Sequence, residues 1–440
     1  MASGTNAYRA KVRAEVDRIA KDVIRVSRDI HAHPELGLHE RYARDLLCAE
    51  AGARGFTVQT PVAGLDTAFM ARYASSRPGP RIAFLCEYDA LPELGHGCGH
   101  NVIAAGSFGA AMALKPMVDE LGGEVLLIGT PDEEAVSEES KGGKVIMAGA
   151  GVFEGLDAVM MMHPNGGLNH AWGYTFPLKD IAVRFEGKPA HYTEPEKGIN
   201  ALEALLLFLH SVNDMKRGWS PSTMFAYTIT DGGGPSAITV PKSAEAHITM
   251  KAFYGEYLES RFELVKTCVR AVSDMTGATG TVTVLDEYRH TIPNLSLSAG
   301  LFESIRELGG DVSDPADALR DLERRTYPGV STDFGDVSWE APAIHGYCGL
   351  GDAGLTLHTP GLVAAAGSAP GDEAAILAAK AMAMTAVEML GNPDYAKRVK
   401  DEYMAYRKAN FSDVPGVPPD YRPFPDDFLA AIAAVRDRGR

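Results

Sequence analysis

Three short runs constrain the fold of this chain more than any other feature: Ile82-Ala-Phe-Leu-Cys86, Val125-Leu-Leu-Ile-Gly129 and Ala158-Val-Met-Met-Met162. Each is almost continuously apolar rather than alternating, which is the pattern of a strand covered on both faces. A Gly/Ala-rich stretch of helical character, residues 101–121, separates the first two, and Thr67–Ala71 reads as one more strand. Strands alternating with helices predict an α/β sheet. In an open α/β sheet, sites form outside the carboxyl ends of the strands. The residues that follow each run are therefore where chemistry is expected.

Those residues are rich in metal-ligand types. The first run leads into Glu87-Tyr-Asp-Ala-Leu-Pro-Glu-Leu-Gly-His-Gly-Cys-Gly-His-Asn101. Glycines separate His96, Cys98 and His100 there, so the backbone can turn tightly and aim several side chains at one point. Thiolate and imidazole together suit a zinc-like transition metal. The second run leads into Thr130-Pro-Asp-Glu-Glu-Ala135, the third into His163, and a fourth place is His358 in Leu357-His-Thr-Pro360. A Glu-Glu pair is ordinarily a solvated face, and a lone His-Pro or His-Thr-Pro ordinarily a capped turn. Their ordered combination, with strands feeding the middle members, points instead to a metal centre.

Residues 8–56 read as a helix, a His-rich turn and a second helix, with Val12, Val16, Ile19, Val23, Ile24 and Val26 on the helical stripe. The character changes near residue 176. Strand-like Asp180–Phe185, Thr223–Thr230, Glu245–Phe253 and Thr279–Leu285 alternate with helical Asn200–Met215 and Glu256–Met275. That is a compact α+β unit. Helices then return at Ser296–Leu308, Ala316–Arg325 and 371–391, around a loop Gly329–Asp336 and before a Pro-rich tail beyond residue 410. The expected organisation is a discontinuous catalytic domain (1–176 and 290–440) with an α+β unit (177–289) inserted. A length of 440 residues agrees with two domains.

A formal net charge of −16 argues against nucleic acid as the main partner. No window of about 18 consecutive apolar residues predicts a membrane span. Met1–Asn6 has no basic patch leading into an apolar core, so no signal peptide is expected. Five scattered cysteines suit a reducing cytoplasm better than a disulfide framework.

The chain resembles the metallo-aminoacylase and carboxypeptidase family. The resemblance is to the branch with aminobenzoyl-glutamate hydrolases, β-alanyl-lysine-type dipeptidases and indole-acetyl-amino-acid hydrolases. It is carried by His31-Ala-His-Pro-Glu-Leu-Gly37, Glu87–Pro92, Gly95–Asn101, Gly129–Glu134, Met162-His-Pro164, Gly187–His191 with Gly198–Leu202, Thr332–Ser338 and His358-Thr-Pro360. It implies a two-metal, aminopeptidase-like catalytic domain with an inserted ferredoxin-like lid and dimerisation domain. It also implies two divalent ions, zinc or manganese foremost and cobalt or nickel otherwise. Cys98 would bridge them, with His100, Glu134, His163 and His358 completing the coordination. Glu133 would be the general base and Asp89 would orient a ligand. His191 would reach the site of the partner subunit in a homodimer and stabilise the oxyanion. The implied reaction is hydrolysis of a C–N bond in a small N-acyl amino acid, dipeptide or aryl-amide.

The remaining histidines carry less. His31 and His33 are expected to hold a turn, His96 to support the ligands from behind or line the pocket, and His345 to line the cleft. His39, His170, His210, His247 and His290 read as surface or packing. The departures from the resemblance concern the substrate. Lys251 stands near the place where many relatives have an Arg for the substrate carboxylate, and Lys cannot copy Arg's planar grip. Tyr192 follows the motif His191 where small residues are common, and Ser236 stands where an Asn is frequent. These changes are compatible with a second reaction, hydrolytic deamination of an aromatic amine as in 5-nitroanthranilate aminohydrolase. A metal-stabilised binding protein without turnover is the reading from another class; loss of Glu133 or of a ligand would favour it, and none is missing.

Overall fold

Alternation of buried faces along three central strands organises the first sheet. The computed structural model describes residues 2–136, 141–220, 223–292, 294–314 and 329–408. The expected helix 316–325 and the tail beyond residue 410 lie outside these. The chain opens with α1 (Ala2–Ala32), α2 (Arg41–Ala53), β1 (Thr57–Gln59), β2 (Phe69–Ala74) and β3 (Arg81–Cys86). It continues through α3 (His100–Leu121), β4 (Glu124–Gly129), α4 (Gly143–Gly149) and β5 (Ala158–Asn165). With β10 (Ala343–Gly349) these strands form a six-stranded sheet in the order β1-β2-β4-β3-β5-β10. The neighbours β4, β3, β5 and β10 run parallel, and β1 and β2 close one side antiparallel.

The three apolar runs are covered on both sides, as their composition predicts. Ile82, Phe84, Val125, Leu127, Ala158 and Met160 face one core, with α1, α3 and the helix α10 (Ala369–Gly391). Ala83, Leu85, Leu126, Ile128, Val159 and Met161 face another, with Met147 of α4 and with Phe334 and Val337 of α8 (Phe334–Glu340). Helices α3 and α10 are each long and apolar enough to cross a membrane, yet most of each is buried against the rest of the chain. Ala and Gly on these helices let them lie close together.

Residues 178–288 build a separate four-stranded antiparallel sheet from β6 (Leu178–Glu186), β7 (Met224–Asp231), β8 (Ser243–Lys251) and β9 (Thr279–Tyr288), in the order β7-β8-β6-β9. With α5 (Ala201–Met215) and α6 (Gly255–Thr276) the chain order is βαββαβ, the split βαβ arrangement. Period-two alternation sends Ile181, Val183, Phe185, Ala246, Ile248 and Met250 into a core under the two helices. The opposite face carries Ala182, Thr228, His247, Thr249 and Thr283 along a cavity of about 820 Å³. After this unit come α7 (Leu295–Glu307), α8, β10, α9 (Pro360–Ala366), α10 and α11 (Pro393–Lys408).

Three local expectations change. The loop expected over Gly329–Asp336 turns helical at Phe334. His163 lies inside β5, which runs on to Asn165, rather than just beyond the strand. Strand β10, which carries His345, has no counterpart in the sequence reading.

Candidate metal centre

The carboxyl ends of β3, β4 and β5 deliver their following residues to one place. Cys98 Sγ lies 3.3 Å from His163 Nε2. His358 Nε2 lies 3.4 Å from Glu134 Oε2, and His100 Nε2 lies 3.8 Å from Glu133 Oε2 and 4.0 Å from Glu134 Oε1. One donor atom from each of Cys98, His100 and His163 falls within 4.8 Å of the others, as do those of Cys98, Glu134 and His358, and of His100, Glu133 and Glu134. All five expected ligands and the expected base are thus brought together.

Local backbone explains how. Gly99 precedes α3 with φ +78°, and a Cβ there would meet Pro164 Cγ at 2.6 Å. Only glycine makes that turn cheaply, and it places Cys98 and His100 on either side of it. Glu133 and Glu134 sit between two left-handed residues, Asp132 (φ +63°) and Ala135 (φ +46°), and His358 has φ +60°. Such conformations persist in non-glycine residues where surrounding contacts hold them. The contacts are visible for Asp132: its N–H donates to Glu40 Oε1 at 2.8 Å, and its carboxylate packs over Gly37, where a Cβ would lie 2.1 Å from Oδ1.

The His-Pro-Glu-Leu-Gly motif is therefore scaffold. Glu35 accepts the N–H groups of Tyr42 and Ala43 at the start of α2, at 3.0 and 3.2 Å. His31 Nε2 meets the Val363 carbonyl at 2.8 Å and His33 Nδ1 the Asp29 carbonyl at 2.8 Å. His96 meets the Ile30 carbonyl at 3.1 Å. His39, His210 and His247 are exposed, His170 is half-buried, and His290 is buried against Trp339.

Asp89 ties the centre together. His100 Nδ1 donates to Asp89 Oδ1 at 2.9 Å, and the Glu134 N–H donates to Asp89 Oδ2 at 2.9 Å. This fixes the His100 tautomer and turns Nε2 toward the other donors. Burial pushes the Asp89 carboxyl up, but His100 and the Glu134 N–H bring it below the usual carboxylate range. Burial draws His163 down to about 4, so its imidazole is neutral, the form that coordinates a metal. Burial, with Glu87 and Asp333 nearby, raises the Glu133 carboxyl far above its usual range, and burial likewise raises the Cys98 thiol.

The donor set fits a divalent transition metal. His100 Nε2 and Glu134 Oε1 are buried and make no hydrogen bond of ordinary geometry among the described residues. Buried polar atoms are expensive to leave unmatched, and a cation between thiol, imidazole and carboxylate would satisfy them and ionise Cys98.

A cavity of about 430 Å³ opens onto this centre, walled by Cys98, Glu133, His163, Tyr288, His345 and Tyr347. His345 is buried, 3% exposed, and its Nδ1 has no hydrogen-bond partner among the described residues. Asp180 and Asp286, opposite each other on β6 and β9, line both this cavity and the larger one.

The other expected substrate residues lie elsewhere in the subunit. His191 is exposed, with Nδ1 2.7 Å from Thr193 Oγ1. The Tyr192 N–H donates to the Ile238 carbonyl at 2.9 Å, Tyr192 is 55% exposed, and Ser236 lies 3.4 Å from Thr239 Oγ1. These three share one tip of the second unit, outside the lining of both cavities. Lys251 ends β8 opposite Leu178, a wall residue, and donates to the Gly329 carbonyl at 3.4 Å.

Sequence reasoning passed over one group. Lys144 Nζ is 2.7 Å from Glu87 Oε1 and 2.6 Å from Asp333 Oδ1. All three residues are buried, immediately behind Glu133. A lysine eight or more residues past a motif reads as surface, and no sequence signal marks this one.

Residues 83–362 match Peptidase family M20/M25/M40. The chain belongs to that family. Every expected ligand, Cys98 to His358, falls inside the matched span, and the family resemblance read from the motifs is borne out. Among curated relatives, mouse Xaa-Arg dipeptidase is 34% identical, over 88% of this chain and 90% of its own length. Among solved structures, an aminohydrolase of methicillin-resistant Staphylococcus aureus superposes with a TM-score of 0.71 at 21% identity, covering 87% of this chain and 99% of that one. A dinuclear metal binding peptidase of the same family from Bacillus subtilis gives 0.64 at 21% identity, covering 85% and 99%. These two show a shared fold.

Proposed function

We propose that this family member is a two-metal dipeptidase that cleaves the C–N bond of a small dipeptide with a cationic residue. The observation that carries the reaction is the convergence of Cys98, His100, Glu134, His163 and His358 around one cavity with Glu133 on its wall. Thiolate and imidazole donors favour zinc, and manganese, cobalt or nickel also suit a mixed N/O/S set. When bound, such a pair supplies Lewis acidity for the scissile carbonyl and a water of lowered pKa. Glu133, which bound cations would keep ionised despite its burial, takes the proton of the attacking water on its carboxylate and delivers it to the leaving amine. Asp89 keeps His100 and the Glu134 backbone in place throughout. His191 donates to the oxyanion from the partner subunit of a homodimer built through the second unit.

The substrate class is supported by two facts. The mouse relative is named for cleavage before arginine. Asp180 and Asp286 place two carboxylates on the wall that joins the two cavities. Lys251, beside the wall residue Leu178, holds the substrate carboxylate as a point charge.

The test is a side-by-side assay of zinc-loaded and manganese-loaded protein on Xaa-Arg and Xaa-Lys dipeptides, acidic dipeptides, N-acyl amino acids, aminobenzoyl-glutamate and nitroanthranilate. Chelator-sensitive turnover, fastest on the basic dipeptides, is expected. Turnover that survives full metal removal would sink the mechanism, and a preference for acidic dipeptides would sink the substrate assignment.

A further inference from the structure

We propose that Lys144 is a positioning residue of the metal centre: its ammonium clamps Glu87, keeps that carboxylate out of the coordination, and leaves Glu133 as the free carboxylate beside the ligands. The proposal rests on the metal-pair reading above and deepens it.

Glu87 is the first residue after β3, so its backbone is fixed by the sheet. Its side chain is 1% exposed and reaches the ligand cluster. Oε2 lies 3.5 Å from His100 Nε2, the nitrogen that Asp89 turns toward the other donors. Carboxylate oxygens of Glu87, Glu133 and Asp333 fall within 4.8 Å of one another. A carboxylate so placed is a natural ligand for a divalent ion unless its charge is engaged elsewhere.

Lys144 engages it. The ammonium is fully buried, 2.7 Å from Glu87 Oε1 and 2.6 Å from Asp333 Oδ1. Asp333 also accepts the Lys144 N–H at 2.9 Å, which grips the lysine at backbone and side chain and fixes where the ammonium points. Lys144 therefore acts on Glu87 from a rigid base.

A purely structural ion pair and a positioning clamp differ in sign for one observable. Lys144→Met keeps most of the stem volume and removes the charge. As a structural pair only, its loss loosens the centre and speeds metal release. As a clamp, its loss frees Glu87 to become an extra ligand and slows release. The experiment uses the full chain loaded with Zn²⁺, with release to EDTA followed by a chromogenic zinc indicator and steady-state kinetics on a dipeptide. For Lys144→Met, release about tenfold slower than wild type is expected. A fall in kcat of about tenfold or more, with KM within about twofold, is expected too. Adding Glu87→Gln to Lys144→Met should return both readouts toward wild type. Glu87→Gln alone, with Lys144 in place, should retain zinc and release it at the wild-type rate. Faster release from Lys144→Met, or no return in the double variant, overturns the proposal. Zinc loss from Glu87→Gln also overturns it, because Glu87 would then be a ligand itself. If Lys144→Met does not fold by circular dichroism, the Glu87→Gln release rate decides. A wild-type chain that binds no zinc is a different result: it defeats the metal-pair reading and this inference with it.

Discussion

His100 Nδ1 donates to Asp89 Oδ1 at 2.9 Å, so the tautomer of the imidazole is set by a residue that does not itself face the cavity. The same carboxylate accepts the Glu134 N–H. One side chain thereby orients two expected ligands, and Asp89→Asn should disturb both. An amide keeps one acceptor oxygen and sets its NH2 donor against either the imidazole N–H or the Glu134 N–H, so both bonds cannot be kept. Metal affinity is expected to fall about 10–100-fold. Competitive titration against a chelator of known affinity checks this, and an unchanged affinity would remove Asp89 from its assigned role.

Gly37 is far from the ligands in sequence, yet a Cβ there would lie 2.1 Å from Asp132 Oδ1 and 3.1 Å from Asp132 Cα. Asp132 cannot retreat without moving Glu133 and Glu134. Gly37→Ala is therefore expected to destabilise the fold by about 1–3 kcal/mol and to lower kcat as well. Gly149→Ala is the control, because a Cβ there meets nothing within 4 Å. Melting temperatures and kcat of the two variants give the comparison. Equal behaviour would show that the loop tolerates the side chain.

Burial draws His290 down to about 4. The folded state thus disfavours its charged form, whereas the unfolded chain protonates it near 6.5. Between those values the unfolded state binds the extra proton, so stability rises with pH. The His290 contribution is complete above pH 6.5 and is lost as pH falls toward about 4. His290→Gln carries no titrating ring. The stability gap between wild type and this variant is expected to narrow between pH 7 and pH 5, by an amount on the order of 1–2 kcal/mol. Urea midpoints at the two pH values measure it, and a gap that does not change would contradict a neutral buried imidazole.

What the sequence made legible follows from how each feature is encoded. The three apolar runs specify strands buried on both faces, because no alternating surface pattern competes with that reading. The residues after them are legible as ligands through order and type. Strand β10 is not legible in the same way: Gly346, Gly349, His345 and Tyr347 interrupt its apolar pattern, and it is stabilised by parallel pairing to β5, a non-local contact. Lys144 is hidden for another reason. Charged residues ordinarily read as surface, and only the fold shows that this lysine meets two carboxylates in the interior. The joint tip formed by His191, Tyr192 and Ser236 is likewise set by pairing between segments about 45 residues apart.

Glu133 and His191 provide the sharpest test of assembly. Glu133 lines the cavity of its own subunit, whereas His191 is exposed and outside the cavity lining. If His191 serves the partner's site, Glu133→Gln and His191→Ala should each be nearly inactive, the former losing about 10²–10⁴ in kcat. A dimer mixed from the two variants contains one site with both defects and one site with neither. The purified mixed dimer should therefore show about half of wild-type activity per dimer, and an unfractionated equal mixture, in which half of all dimers are mixed, about a quarter. Co-expression with two affinity tags, tandem purification of the mixed species and assay of its turnover measure this. A mixed dimer no more active than its parents would place His191 outside the partner's site, and a fully active monomer in sedimentation would exclude the cross-subunit arrangement altogether.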